Sequence, residues 1–320
     1  MKEIGGYIEM EHYNRSRLHE GAIALNCGRN ALAYLCRLHN LRKVWIPFFL
    51  CDCVSKLLKR EAVAFDFYHI DNQFLPCSNI ELKRGEAFYL VNFYGQIGND
   101  LIEQFSERYE RLIVDNAQDY FREPVEGVDT LYTCRKFFGV ADGAFLYTDA
   151  DCSAEQFTRD VSFDRMRFLL GRFEKSASEF YPEYVRNNAL FSEEPVKAMS
   201  RLTDNLLRSI DYESVRKRRN ANWKYLESRL SAVNGLRLQC DSTDAPFAYP
   251  LFISHGKELR RTLIEHKIYI PTLWPNVFSL CPEDSLEYRL AADILPLPVD
   301  QRYTQEDMER MCDVLFSLLR

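Results

Sequence analysis

The chain has 320 residues, 47% of them apolar and 28% charged, with 41 Lys+Arg against 47 Asp+Glu and a net charge of −6. That length supports one large or two medium domains with a substantial core, and the acidic balance argues against a nucleic-acid or anionic-membrane surface as the main partner. No run of eighteen apolar residues predicts a spanning helix, residues 1–6 lack the apolar core of a signal peptide, and the ten cysteines read as reduced thiols of a cytoplasmic protein, mostly small core residues.

In chain order, Ala22-Ile23-Ala24-Leu25 predicts a short strand, broken by Asn26-Cys27-Gly28-Arg29-Asn30. A helix follows over residues 31–38, where Leu32, Leu35 and Leu38 recur at helical spacing. Val44-Trp45-Ile46 predicts a second strand stopped by Pro47, and Val63, Phe65 and Phe67 alternate on one face of a third. Residues 88–93, 112–114 and 143–148 give three more apolar runs. Strands separated by helices over such distances predict an α/β domain with a mostly parallel sheet.

Residues 151–232 read as largely helical. Within them Arg216-Lys217-Arg218-Arg219 reads as a solvated helix face, with contact to a phosphorylated substrate as the alternative. Beyond residue 247 the pattern predicts strands at 249–253 and 268–270, a Pro/Trp-rich corner at 271–275, and a helix over 305–319. Thr304 with Asp307 supplies a capping signal for that helix. This tail predicts a smaller α/β unit, dividing the chain into residues 1–212 and 213–320.

In a parallel α/β sheet ligands gather at the carboxyl ends of the strands. Asp115 closes a wholly apolar strand, where a carboxylate needs a cationic partner or water. Lys136 stands beside Phe137 and Phe138, surroundings that lower an amine's pKa and make it nucleophilic. An amine, an acid at a strand end and a glycine-containing strand-to-helix turn are the parts of a pyridoxal phosphate site. The closest cysteine pair is Cys51-Asp52-Cys53, and the six histidines show no metal-ligand spacing.

The ordered set of motifs resembles the DegT/DnrJ/EryC1/StrS family of pyridoxal phosphate-dependent sugar aminotransferases. Asn26-Cys27-Gly28-Arg29-Asn30-Ala31-Leu32 is similar to that family's S-G-T-x-A-L phosphate turn, and Ile46-Pro47-Phe48-Phe49-Leu50-Cys51 to its V-P-x-x-T-[FW] segment. Val91-Asn92-Phe93-Tyr94-Gly95-Gln96 resembles V-x-x-Y-G-Q, and Leu112-Ile113-Val114-Asp115-Asn116-Ala117-Gln118 resembles V-x-E-D-A-A-Q. The stretch from Lys136 to Gly143 resembles the segment around the family's Schiff-base lysine, 21 residues after Asp115. Ile294-Leu295-Pro296-Leu297-Pro298 resembles the family's ending.

The resemblance implies the fold type I architecture: a large three-layer α/β/α domain with a mostly parallel sheet, plus a small C-terminal α/β domain. It implies pyridoxal 5'-phosphate as cofactor, with Lys136 forming the Schiff base and then moving the proton. Asp115 would pair with the pyridinium nitrogen and Gln118 would lie near the ring. Gly28 and Arg29 would offer backbone N–H groups to the phosphate, and Thr133 a hydroxyl. Cys51 stands where the family stacks an aromatic ring, so Tyr94 is expected to cover the cofactor instead. The implied activity is transfer of an amino group, with glutamate as donor, to a nucleotide-linked keto-sugar by a cytoplasmic homodimer. Another fold type I reaction and a non-catalytic cofactor-binding homologue are the alternatives. The chain departs from the pattern at Cys51, at Arg29 in place of threonine, and in lacking the G-x-N-x-R-M segment by which a second subunit completes the site. Met199-Ser200 is its nearest remnant. Gly5-Gly6-Tyr7 is expected to fold over the site or across a dimer interface, and Trp274 either to line the active-site mouth or to pack.

Overall fold

Seven short runs pair into one sheet: β1 (Ile23–Leu25), β2 (Lys43–Pro47), β3 (Ala64–Tyr68), β4 (Glu86–Val91), β5 (Leu112–Asp115), β6 (Asp129–Thr133) and β7 (Ala144–Tyr147). They belong to a computed structural model that describes residues 4–240 and 243–319. The spatial order is β1-β7-β6-β5-β4-β2-β3. Neighbours from β3 through β6 run parallel, while β7 is antiparallel to both β6 and β1. Residues 87–91 of β4 and all of β5 and β6 are buried, as expected for parallel strands covered on both faces.

Helices α1 (Gly28–Leu38), α2 (Asp52–Arg60) and α3 (Asn99–Arg108) return the chain between strands. Their amino ends therefore sit at the strands' carboxyl edge, where ligands collect. After β7 come α4 (Arg167–Glu174), α5 (Tyr181–Leu190), α6 (Arg201–Leu207) and the long α7 (Tyr212–Leu230). A second sheet pairs β8 (Ala248–Phe252) antiparallel with β9 (Ile294–Pro298), accompanied by α8 (Gly256–Glu265), α9 (Val277–Leu280), α10 (Leu286–Asp293) and α11 (Gln305–Leu318). Trp223, Leu226 and Leu230 of α7 join Tyr249, Leu251, Leu295, Leu297, Met311 and Leu315 in a hydrophobic cluster of its own. The capping box of Thr304 and Asp307 opens α11. Among the described residues no helix is long and apolar enough to cross a membrane.

The structure departs from the sequence expectations in several elements. The polar-looking Asp129-Thr130-Leu131-Tyr132-Thr133 forms β6, because ladders with β5 and β7 on either side override its composition. Residues 268–270 form no strand: the Ile268 amide donates to Leu263 O at 2.9 Å and closes the end of α8. Residues 151–166 are not α-helical. They hold two single 3₁₀ turns, Ala154–Gln156 and Phe163–Arg165, and Leu25 and Arg159 each form a β-bridge to Ala198. In the basic run, Lys217 and Arg218 are exposed but Arg219 is fully buried. It donates from Nε to Gln301 Oε1 at 3.0 Å and from Nη1 to Pro246 O at 2.8 Å.

Candidate active site

Seven of the eight residues singled out from sequence line one cleft: Gly28, Arg29, Cys51, Asp115, Gln118, Thr133 and Lys136. They come from the amino ends of α1 and α2, from the ends of β5 and β6, and from the turn after β6. Tyr94 does not line this cleft. Its ring is fully buried against Phe74, centroid to centroid 5.6 Å, and burial pushes its phenol pKa up. What Tyr94 contributes is its backbone N–H, which donates to Gln118 Oε1 at 2.8 Å and orients that amide. This needs a left-handed backbone, φ 54° at Tyr94 and 70° at Gly95. At Gly95 a Cβ would stand 3.2 Å from the Asp119 carboxyl, so only glycine fits there without displacement. The aromatic side chains that do line the cleft are Tyr89 and Trp274. Trp274 also packs edge-on against Phe49 at 4.5 Å, so it lines the cleft and packs at once.

Asp115 is held on both oxygens. Oδ1 accepts from the Ala117 amide at 2.8 Å and Oδ2 from the Tyr89 hydroxyl at 2.7 Å. Register places Tyr89 opposite Ile113 on the adjacent strand, so its ring reaches the end of β5. Burial, then the Asp115 charge, raises the Tyr89 pKa far above the phenol range. The hydroxyl therefore stays a donor and Asp115 an acceptor, aimed at the cleft.

Lys136 is reachable from the cleft mouth yet ringed by protein. That crowding, chiefly, lowers its pKa, with Arg135 acting in the same direction and Asp115, Cys51 and Cys53 opposing. The lysine turn is fixed from behind. The Phe137 and Phe138 amides both donate to Cys134 O, at 3.0 and 2.9 Å. Gln301 Nε2 donates to Phe137 O at 2.7 Å, and the buried Arg219 guanidinium lies 4.5 Å over the Phe137 ring. Lys136 also borders a second, larger space, walled by Phe247, Tyr181, Tyr184, Arg172, Lys267 and Arg302 among others. The amine thus stands where the two spaces meet.

Cys51 caps α2, its sulfur accepting from the Cys53 amide at 3.4 Å. The Cys53 thiol, the largest influence, draws the Cys51 pKa down to about 7, Lys136 acting in the same direction against burial and Asp52. The hydrogen bond to the Cys51 sulfur, then burial, raises the pKa of the half-buried Cys53. α1 also opens on the cleft, without a side-chain cap bond from Cys27. Helix ends of this kind favour anions. Sequence reasoning missed Tyr89, Cys53 and Arg135, the last despite its place at a strand end beside Lys136. Tyr89 lay inside an all-apolar run that gave no signal. Of the weaker expectations, Ser200 serves as the amino cap of α6. Tyr7 is 98% exposed and does not cover the cleft. Among the described residues no group of three His, Cys, Asp or Glu side chains could hold a metal ion.

No protein-family model and no curated protein matches the chain in sequence. Solved structures match it in fold. A sugar aminotransferase, CalS13, from Micromonospora echinospora is 16% identical, with 92% of this chain and 87% of that chain covered at a TM-score of 0.62. A DegT DnrJ EryC1 StrS aminotransferase from Brucella abortus is 15% identical over 93% of this chain and 85% of its own, TM-score 0.61. NtdA from Bacillus subtilis, solved with bound cofactor PMP, is 13% identical over 92% of this chain and 72% of its own, TM-score 0.64. The chain therefore has the fold type I architecture of these aminotransferases.

Proposed function

We propose that this chain is a pyridoxal phosphate-dependent aminotransferase that moves an amino group from glutamate to a nucleotide-linked keto-sugar. The observation that carries the reading is the joint placement of Lys136 and Asp115 on one cleft that a helix amino terminus also lines. That placement occurs in a fold shared with sugar aminotransferases. The residues present fit the group: an amine, a carboxylate fixed by two donors, and an uncapped helix end for the phosphate. When bound, pyridoxal phosphate supplies a carbonyl carbon that accepts and releases amino groups, and a ring that takes up electrons.

The protein's own part follows from its geometry. Asp115, held by Tyr89, would pair with the ring nitrogen and favour its protonated form. Lys136, its pKa lowered mainly by crowding, would hold the group through Nζ and, once released, would be the base that moves a proton there. Gln118, oriented by the Tyr94 amide, would lie near the ring. Gly28 and Thr133 would hold the phosphate. The larger space beside Lys136 admits the sugar substrate, and its Arg172, Lys267 and Arg302 suit the diphosphate of a nucleotide.

The same reading divides the chain into a cofactor-binding unit, residues 1–212, and a small unit, residues 213–320, supported by the separate cluster around α7, β8, β9 and α11. It also makes the protein a homodimer, supported by Phe163, Leu170, Phe173 and Tyr181, which stand 61–91% exposed between β7 and α6. The test is spectroscopic. Glutamate bleaches the visible band of the cofactor-loaded protein and a keto-sugar nucleotide restores it. A loaded protein whose band no amino acid alters contradicts the transaminase reading.

A further inference from the structure

We propose that Arg135 and Arg29 form a two-guanidinium clamp, supplied wholly by this chain, for a phosphate group seated at the amino end of α1. The clamp rests on the cofactor reading only in naming the phosphate as that of pyridoxal phosphate. Both arginines line the cleft beside Gly28 and Thr133. Among the described residues no carboxylate lies within salt-bridge distance of either one. Their neighbour Arg165, by contrast, pairs with Asp160 at 2.7 Å.

Neutral groups hold both cations in place. Arg29 donates from Nη2 to Asn188 O at 3.0 Å and from Nη1 to Ser192 Oγ at 3.3 Å. Arg135 donates from Nη1 to Asn188 Oδ1 at 2.5 Å. The Phe191 ring lies beneath both, 4.4 Å from the Arg135 guanidinium carbon and 6.0 Å from that of Arg29. The Nε of Arg135 is buried and without a partner. Asp142 is the carboxylate that favours the Arg135 charge. It is already committed to the Ser200 amide at 2.8 Å, the Ser200 hydroxyl at 2.7 Å and the Thr203 hydroxyl.

Two half-buried cations held against one ring repel each other, a cost that an anion between them removes. Burial first, and the Arg29 charge among the further causes, weaken the proton affinity of Arg135. The planar forks match phosphate oxygens. The uncapped start of α1 adds a positive dipole end at the same place. Together the two charges and the helix end fit a phosphate dianion better than a single carboxylate. The carboxylate pole of the cleft, Asp115 with Tyr89, is separate and suits a protonated nitrogen.

The experiment measures binding by calorimetry and thermal shift on cofactor-free protein, using inorganic phosphate, pyridoxal phosphate, pyridoxal and glutamate as probes. Arg135→Gln and Arg29→Gln are each expected to weaken inorganic phosphate and pyridoxal phosphate about tenfold or more, and to leave pyridoxal unchanged. Arg135→Lys recovers part of the phosphate affinity. Circular dichroism checks folding, and if Arg135→Gln does not fold, Arg29→Gln and Arg135→Lys carry the test. The clamp is overturned if the variants bind phosphate as the wild type does, or if glutamate affinity falls and phosphate affinity holds. Wild-type protein that binds phosphate through these arginines but gains no visible band with pyridoxal phosphate supports the clamp and sinks the cofactor reading. A visible band that is equally strong with pyridoxal phosphate in the variants sinks the clamp alone.

Discussion

At the scale of single residues, buried titratable groups make the protein's pH response calculable. His19 is buried, its ring 2.8 Å from Tyr120 O and 3.2 Å from the Tyr147 hydroxyl. Burial above all lowers its pKa from 6.5 to about 4. A folded-state pKa below the unfolded value means that the unfolded chain takes up the proton first. The contribution is thus present above pH 6.5 and lost as pH falls toward 4, about 3 kcal/mol in all. His19→Gln is expected to flatten the acid limb of the urea-denaturation stability curve across that window, and an unchanged slope would contradict the assignment. Cys51 gives a second check. A thiol drawn to about 7 by Cys53 is expected to react with iodoacetamide with a midpoint near neutrality, while Cys53 is spared. Peptide mapping after alkylation reads both, and added pyridoxal phosphate should protect Cys51.

At the scale of elements, Asp142 joins the lysine turn to α6. It is fully buried and accepts from the Ser200 amide and hydroxyl and from the Thr203 hydroxyl. Asp142→Ala leaves the buried Ser200 amide and Thr203 hydroxyl without their acceptor and is expected to cost about 3 kcal/mol, read as a lowered urea midpoint. A loss under 1 kcal/mol would show that water replaces the carboxylate. The next residue, Gly143, adopts φ 113°, where a Cβ would meet Thr203 Cγ2 at 2.9 Å. Loop and helix are therefore packed as one piece.

This scale also shows what the sequence could reveal. β2, β4 and β5 were legible because compact apolar runs with polar ends have few other places to go. β6 was not, since only its two neighbours make Asp129 and Thr130 strand residues. The same limit applied in the site. Asp115 and Lys136 were legible by type and order. Tyr89 was hidden because its role depends on register with β5. Tyr94 was misread because a ring's direction follows from a left-handed φ that composition does not encode. Arg219 looked solvated within a basic run, and only Gln301 and Pro246 O, far along the chain, account for its burial.

At the scale of the whole molecule, the exposed apolar residues between β7 and α6 call for a cover. Phe173 of α4 is 91% exposed and Phe163 73%, large apolar side chains of the kind that mark contact surfaces. Sedimentation equilibrium is expected to give a dimer that Phe173→Asp weakens at least tenfold, and a wild-type monomer at micromolar concentration would contradict the dimer. Arg219 of α7 and Gln301, which follows β9, grip the Phe137 end of the lysine turn. The lysine turn is thus positioned by residues far along the chain.

The central claim is that Lys136, facing Asp115 in this cleft, is the amine that binds pyridoxal phosphate. The direct measurement is a titration of purified protein with pyridoxal phosphate, followed by visible absorbance, in the wild type and in Lys136→Ala. The account predicts a saturable visible band in the wild type that is absent from Lys136→Ala, with circular dichroism unchanged. A wild type that gains no band, or a variant that gains the same one, would contradict it.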